Sequence, residues 1–232
     1  MHSLHLLHKK SRVFDACTTA DYDKLVEAFE RDREDAQHDV LHYRHFGTQR
    51  TPLLEASFVT HNPDLVLLLL QHNASIEDET EDGSICLHLA AKAGREDVLQ
   101  ALLSHVKGKD LDVDHRNAEG TTPLMCAVFA GDLPCCKVLV KAGAWIDARN
   151  KMGQTCLMKA VCYRDMRMIE WLLKEGADPT LRDKEQKKAL DYSEERNFDE
   201  VTRVLRGERT ILKDDMWDDA LEDELNTLEM AF

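Results

Sequence analysis

The sequence predicts an all-α solenoid of stacked helix-turn-helix units with hairpin loops, about six helix pairs long. One phrase recurs, its copies keep a near-constant spacing, and an apolar second helix follows each copy. The phrase is clearest in residues 120–132, "GTTPLMCAVFAGD", and returns as "TPLLEASFVT" from 51, "GSICLHLAAKAGR" from 83 and "GQTCLMKAVCYRD" from 153. A segment restated at fixed intervals is a structural unit, because no single copy can bury its apolar face alone.

The copies align on Leu53, Leu87, Leu124, Leu157 and Leu190, at spacings of 34, 37, 33 and 33 residues. Three positions on stands a small residue, Ala56, Ala90, Ala127, Ala160 and then Ser193, where one first helix can approach the next closely. Gly83, Gly120 and Gly153 precede the leucine by four and suit a turn with φ > 0, and Thr-Pro then opens the helix where a missing N–H costs nothing. Second helices follow as "LVLLLL" (65–70), "VLQALL" (98–103), "CCKVLV" (135–140), "MIEWLL" (168–173) and "VTRVL" (201–205).

The ends depart from the pattern, as the ends of a stack must. Residues 13–29, "VFDACTTADYDKLVEAF", read as a helix pair without the opening phrase, an N-terminal cap. The last unit, "KKALDYSEERNFDEVTRVL", has Lys188-Ala189-Leu190 in place of TPL and charges on one side, a C-terminal cap. Two connections are lengthened, "ERDREDAQHDVLHYRHFGTQR" (30–50) and "SHVKGKDLDV" (104–113). Longer loops of this kind often lie at binding edges, although drift also produces them.

The whole pattern resembles the ankyrin repeat. Residues 120–149 carry that family's G-x-TPL-xx-A opening, a turn at Gly131, a second helix and the "AGAWIDAR" exit into a hairpin. The expected organisation is an N-terminal extension at 1–10, a repeat domain at 11–206 and an acidic tail at 207–232. Within the domain, a cap at 11–45 precedes units near 46–80, 81–117, 118–150, 151–183 and 184–206. The resemblance gives His88 a structural role, since it occupies the slot of the family's TPLH histidine, which hydrogen-bonds between units. Leu54, Met125, Met158 and Asp191 fill that slot elsewhere, so most of such a ladder is missing. The hairpin positions where the family can carry a hydroxylatable asparagine hold Glu77, Asp114, Asp147 and Thr180, so asparagine hydroxylation is not expected there.

Composition bounds the chemistry. With 30 basic and 44 acidic residues the formal charge is −14, and residues 207–232, with nine acids against Arg209 and Lys213, contribute −7 of it. Such a chain repels phosphate backbones and anionic lipid, so neither nucleic acid nor membrane is an expected partner. The seven cysteines are odd in number and form no CxxC pair, which suits reduced, mostly buried thiols and a cytoplasmic or nuclear setting. No apolar run approaches a membrane span, and "MHSLHLLHKKSR" is no secretory signal. The GxxxxGK[ST], HExxH, GxSxG and GxGxxG motifs are all missing. His2, His5 and His8, and His38, His42 and His45, are spaced closely but lack the cysteine or acid pattern of a metal site. No enzyme activity, cofactor or metal is therefore expected.

The resemblance implies a concave face of first helices and hairpin tips on which partner proteins bind. Its exposed positions are the second, fifth and sixth after the aligning leucine, which offer Phe58, Leu89, Phe129, Tyr163 and Tyr192 as an apolar track. Trp145, in "GAWID", takes a slot where the family commonly has aspartate and is either packed on the next finger or offered to a partner. Aromatic anchors of this kind carry much of the energy in protein interfaces. In the tail, "DDMWDDALEDELNTLEMAF", helical periodicity puts Trp217, Leu221, Leu225, Leu228 and Phe232 within an arc of about 80°, with most acids opposite. An isolated helix of that length is marginal in water, so docking decides its state. It could cap the last unit, strap the concave face, or enter a basic-rimmed groove of another protein. The expectation is a monomeric adaptor or scaffold with two protein contacts, the concave face and the tail. The alternative is a stoichiometric inhibitor or assembly chaperone that masks a basic client.

Overall fold

The computed structural model describes residues 12–31, 41–105 and 112–208. Among the described residues twelve helices can be bounded, and there is no strand. They are α1 (12–18), α2 (Tyr22–Arg31), α3 (Pro52–Val59), α4 (Pro63–Gln71), α5 (Cys86–Lys92), α6 (Glu96–His105), α7 (Pro123–Ala130), α8 (Leu133–Lys141), α9 (Cys156–Tyr163), α10 (Met166–Lys174), α11 (Ala189–Glu195) and α12 (Asp199–Leu205). The six pairs stack in two layers. First helices touch in the order α3, α5, α7, α9, α11, and second helices α2, α4, α6 and α8 run behind them.

Several helices start where the sequence supplies a side-chain acceptor for orphan N–H groups. Thr122 accepts from the Met125 N–H and Thr155 from that of Met158, both at 3.4 Å. Asp132 and Asp165 cap α8 and α10 through the N–H groups of Cys135 and Met168 at 2.8 and 3.0 Å. Such caps contribute about 0.5–2 kcal/mol each. Two of the turns between paired helices use φ > 0: Gly131 supplies it after α7 (φ 71°), and Arg164 adopts it after α9 (φ 56°). No glycine marks that second turn in the sequence.

The layers differ in burial because they differ in neighbours. In α7 the six residues from Pro123 to Val128 are all buried, while in α8 Cys135, Cys136 and Leu139 alone are. A first helix is covered by its own partner helix and by a first helix on each side; a second helix keeps one face in water. Ala56, Ala90, Ala127, Ala160 and Ser193 are all buried, as close approach in this row requires. Leu53, Leu87, Leu124 and Leu157 are fully buried, each worth about 1.5–3 kcal/mol, whereas Leu190 in the last unit is half-buried. One continuous core runs from Val13 to Val204.

Hairpin fingers project between the units and are tied to one another by main chain. The Ala118 N–H donates to the Asp82 carbonyl (2.7 Å), that of Lys151 to Glu119 (2.9 Å) and that of Lys184 to Met152 (2.9 Å). Glycine makes this contact feasible at Gly120, where φ is 71° and a Cβ would lie 2.9 Å from the Lys151 nitrogen. A side-chain ladder runs alongside. Arg116 donates to the Arg149 carbonyl at 2.6 Å, Arg149 to that of Arg182, and Arg44 reaches Glu79 at 2.7 Å.

Candidate protein-interaction surface

The first helices place their fifth and sixth positions side by side. One row reads Phe58, Lys92, Phe129, Cys162, Glu195; the next reads Val59, Ala93, Ala130, Tyr163, Arg196. All ten are half-buried or exposed. At the centre Phe129 of α7 meets Tyr163 of α9, ring centroids 6.3 Å apart and tilted by 58°. The Lys159 ammonium sits 5.4 Å from the Phe129 ring centre, within cation–π range. Tyr163 is 62% exposed, which for a tyrosine among packed helices leaves most of its ring to solvent.

The apolar track is shorter than the sequence suggests. Leu89 is 5% exposed and Tyr192 8%, and Glu55 and Cys126 at the same second position are buried too. That position lies in the seam between adjacent first helices, so the neighbour covers it. Tyr192 is instead structural, for its hydroxyl donates to Asp183 and accepts from Gln154 at 3.1 Å. Burial pushes the Asp183 carboxyl upward, but the Tyr192 hydroxyl and the N–H groups of Lys187 and Glu185 outweigh it and hold the pKa below the usual range. Phe58 is half-buried beneath the Arg50 guanidinium, 4.6 Å above its ring, and Arg50 pairs with Glu55 at 3.2 Å.

Trp145 is 55% exposed. Its counterparts one unit either way, Asp112 and Asp178, each accept the N–H two residues on, at 3.0 and 2.8 Å. Tryptophan gives up that turn-stabilising bond and presents an indole to solvent. Its main chain stays fixed, the N–H donating to both carboxylate oxygens of Asp114 at 3.1 Å, as the Asp178 N–H does to Asp147. Trp217, Leu221 and Leu225 lie outside the described residues.

Phe46, 90% exposed at the tip of the first finger, is not flagged by the repeat pattern because it falls in the long connection before the first aligned phrase. The available signal is an aromatic residue beside a turn glycine, in "HFGTQ". Met152, half exposed, marks the fourth finger similarly.

The buried cysteines are held as thiols. Burial pushes the thiols of Cys86 and Cys126 up to about 12, and those of Cys17, Cys135, Cys136 and Cys156 upward as well, so they stay protonated. Among the described residues no group of histidines, cysteines and acids is arranged to hold a metal ion, and no helix is long and apolar enough to cross a membrane. His42 faces Asp78 at 3.7 Å and His45 stacks on Phe14 at 4.4 Å; His2, His5, His8 and His38 lie outside the described residues. His88 does link two units. Its Nδ1 accepts the Ile85 N–H at 3.3 Å, so Nε2 carries the proton and donates to the Thr121 carbonyl at 2.9 Å. Burial holds its pKa below the ordinary histidine value.

The family model for ankyrin repeats matches three overlapping stretches, residues 16–115, 53–150 and 105–183. The NF-kappa-B p105 subunit of Rattus norvegicus is 34% identical over 109 residues, 47% of this chain and 11% of that protein. The B-cell lymphoma 3 protein homolog of Mus musculus is 35% identical over 103 residues, 44% of this chain and 23% of that protein. The chain thus spans less than a quarter of these curated relatives' length. The crystal structure of the ankyrin repeat domain of Bcl-3, described as a unique member of the IkappaB protein family, superposes with a TM-score of 0.74 at 26% identity. That match covers 84% of this chain and 85% of the Bcl-3 one. From its repeated phrase, its two-layered stack and these matches, the chain belongs to the ankyrin-repeat family, a protein-interaction fold.

Proposed function

We propose that the chain is a non-catalytic adaptor or scaffold that binds a partner protein on the first-helix face. Phe129 and Tyr163 are the central anchors, with Phe58 and Trp145 at the margins. The observation that carries this reading is the aromatic pair on otherwise close-packed helices, a half-buried Phe129 beside a largely exposed Tyr163, which leaves apolar ring surface open to a partner. Leu89 and Tyr192 support the face from within. Trp217, Leu221 and Leu225 of the acidic tail form a second contact, with a protein that offers a basic surface or groove. Two contacts on one chain raise effective concentration and so tether one protein to another. The chain works as a monomer in a reducing compartment, the cytoplasm or nucleus, where its cysteines stay free.

The test is affinity capture from cells with the full chain and with Tyr163→Ala and Phe129→Ala variants. Loss of the same bound proteins in both variants, with melting temperature retained, supports the reading. Capture indifferent to both substitutions removes it.

The second reading is a stoichiometric inhibitor or assembly chaperone that masks a basic client. It is favoured by the nine acids of residues 207–232 and by the likeness to an IkappaB family member. Masking requires binding that weakens steeply with salt and on charge reversal in the tail. Adaptor binding through Phe129 tolerates salt.

A further inference from the structure

Two clefts lie away from the first-helix face, and neither selects a ligand. The cavity of about 400 Å³ between α1 and α2, lined by Arg12, Asp15, Thr19, Lys24 and Glu27, is open and of mixed charge. The cleft of Arg164, Asp199, Glu200 and Arg203 has its own charges balanced. The first-helix face differs, because its cations are left over.

Lys92 and Arg196 are exposed and Lys159 is half-buried. None of the three lies within ion-pair distance of a carboxylate among the described residues. The acids nearest in register are already engaged. Glu55 pairs with Arg50, Glu195 with Lys187 at 2.9 Å, and the carboxylates of Asp132 and Asp165 cap helices. A chain of net charge −14 therefore carries an unneutralised basic rim around the Phe129–Tyr163 pair. Ala93 and Ala130 beside the rings keep the surface low enough for an incoming side chain to lie against them.

We infer that the occupant of this face, in the absence of a partner, is the chain's own segment 214–228. Trp217 would lie against Phe129 and Tyr163, with its acids meeting Lys159 and Arg196. The inference rests on the same face being the binding surface, and names what first occupies it. Two observations favour the segment. Its composition is complementary: Trp217, Leu221, Leu225 and Leu228 share one side of a helical pattern, and most of the acids, Asp215, Asp219, Glu222 and Asp223 among them, fall opposite. It is also in reach. The described chain ends at Glu208, and there Arg206 meets Glu194 of α11 at 2.7 Å, so the exit lies against the last first helix. The nine residues from Glu208 to Trp217 span at most about 30 Å, while α9 lies one helix beyond α11, a step of about 10 Å. A short tether holds the segment at millimolar effective concentration, so a weak intrinsic affinity suffices to occupy the face. A partner then binds by displacing the tail, which is freed for its own second contact.

The test uses the full chain with Tyr163 replaced by a photoreactive benzophenone amino acid. After illumination, peptide mapping is expected to find intrachain cross-links into residues 214–228, with a yield unchanged on dilution. Lys159→Glu with Arg196→Glu should lower that yield about fivefold, and Asp218→Lys with Asp219→Lys should restore it. Failure to find tail peptides overturns the inference, as do a yield that falls on dilution (a second copy) and charge reversals without effect. The capture experiment with Tyr163→Ala separates the two readings. Lost partners without a tail cross-link leave the surface and remove its occupant. A tail cross-link with unchanged capture leaves the occupant and removes the partner site.

Discussion

The middle units and the terminal units solve the same turn with different residues. The three middle fingers put Gly83, Gly120 and Gly153 at φ of 71–77°, while the first and last put Gln49 and Gln186 at 53° and 65°. The middle glycines carry another finger's backbone against the Cα. For Gly120 and Gly153 a Cβ would come within 3.0 Å of the Lys151 and Lys184 nitrogens. At Gln186 no further finger follows among the described residues, so a side chain has room and the cost is conformational alone. At Gly120 and Gly153 glycine is fixed by the neighbouring finger as well as by its dihedral angle.

Gly120→Ala should therefore have the largest effect, a loss of about 2–4 kcal/mol in urea unfolding. Gly143→Ala, also at positive φ (96°) but with nothing within 4 Å of its Cβ, should lose about 1–2 kcal/mol. Equal losses would mean that finger contact contributes nothing. Next, Tyr192→Phe removes the hydroxyl shared by Asp183 and Gln154 and should cost about 1–2 kcal/mol. Amide exchange should rise in the last finger first, leaving the middle fingers protected.

His88 separates the middle from the ends by pH. Its folded-state pKa lies below the unfolded value of about 6.5, so the unfolded chain takes up protons first. Its contribution is intact above that value and is lost as pH falls through it. Protonation of Nδ1 also ends its acceptance of the Ile85 N–H. His88→Gln should flatten the fall in melting temperature between about pH 7.5 and 5.5 relative to the unaltered chain. An unchanged slope would remove His88 as a sensor. The smallest effect is expected from Gln186→Gly, a gain of about 0.5 kcal/mol as relief of the left-handed strain narrowly exceeds the added chain entropy.

Much of this was legible because a repeat states its rules several times. The aligned leucines located every first helix from α3 onward, and the small residue three positions on marked the close-packed side. What sequence could not supply was lateral context. The second position looks exposed on a single helix, yet packing within the stack buries Leu89 and Tyr192, the latter against Gln154 of the preceding unit. The turn after α9 was unmarked because Arg164 adopts a conformation that glycine advertises and arginine does not. Trp145 was visible as a departure from aspartate, but its exposure depended on the loop's path. Phe46 was missed because its finger precedes the first clear phrase.

The finger ladder runs through carbonyls and amides, atoms that every amino acid except proline supplies in full. The residues carried at equivalent tip positions, Gly47, Glu81, Ala118, Lys151 and Lys184, already range from glycine to acidic to basic. Substitution there can retune what a finger touches while the stack beneath keeps its shape. Recognition and folding are thus written in separate alphabets on one hairpin, which lets a family of common architecture acquire unrelated targets one fingertip at a time.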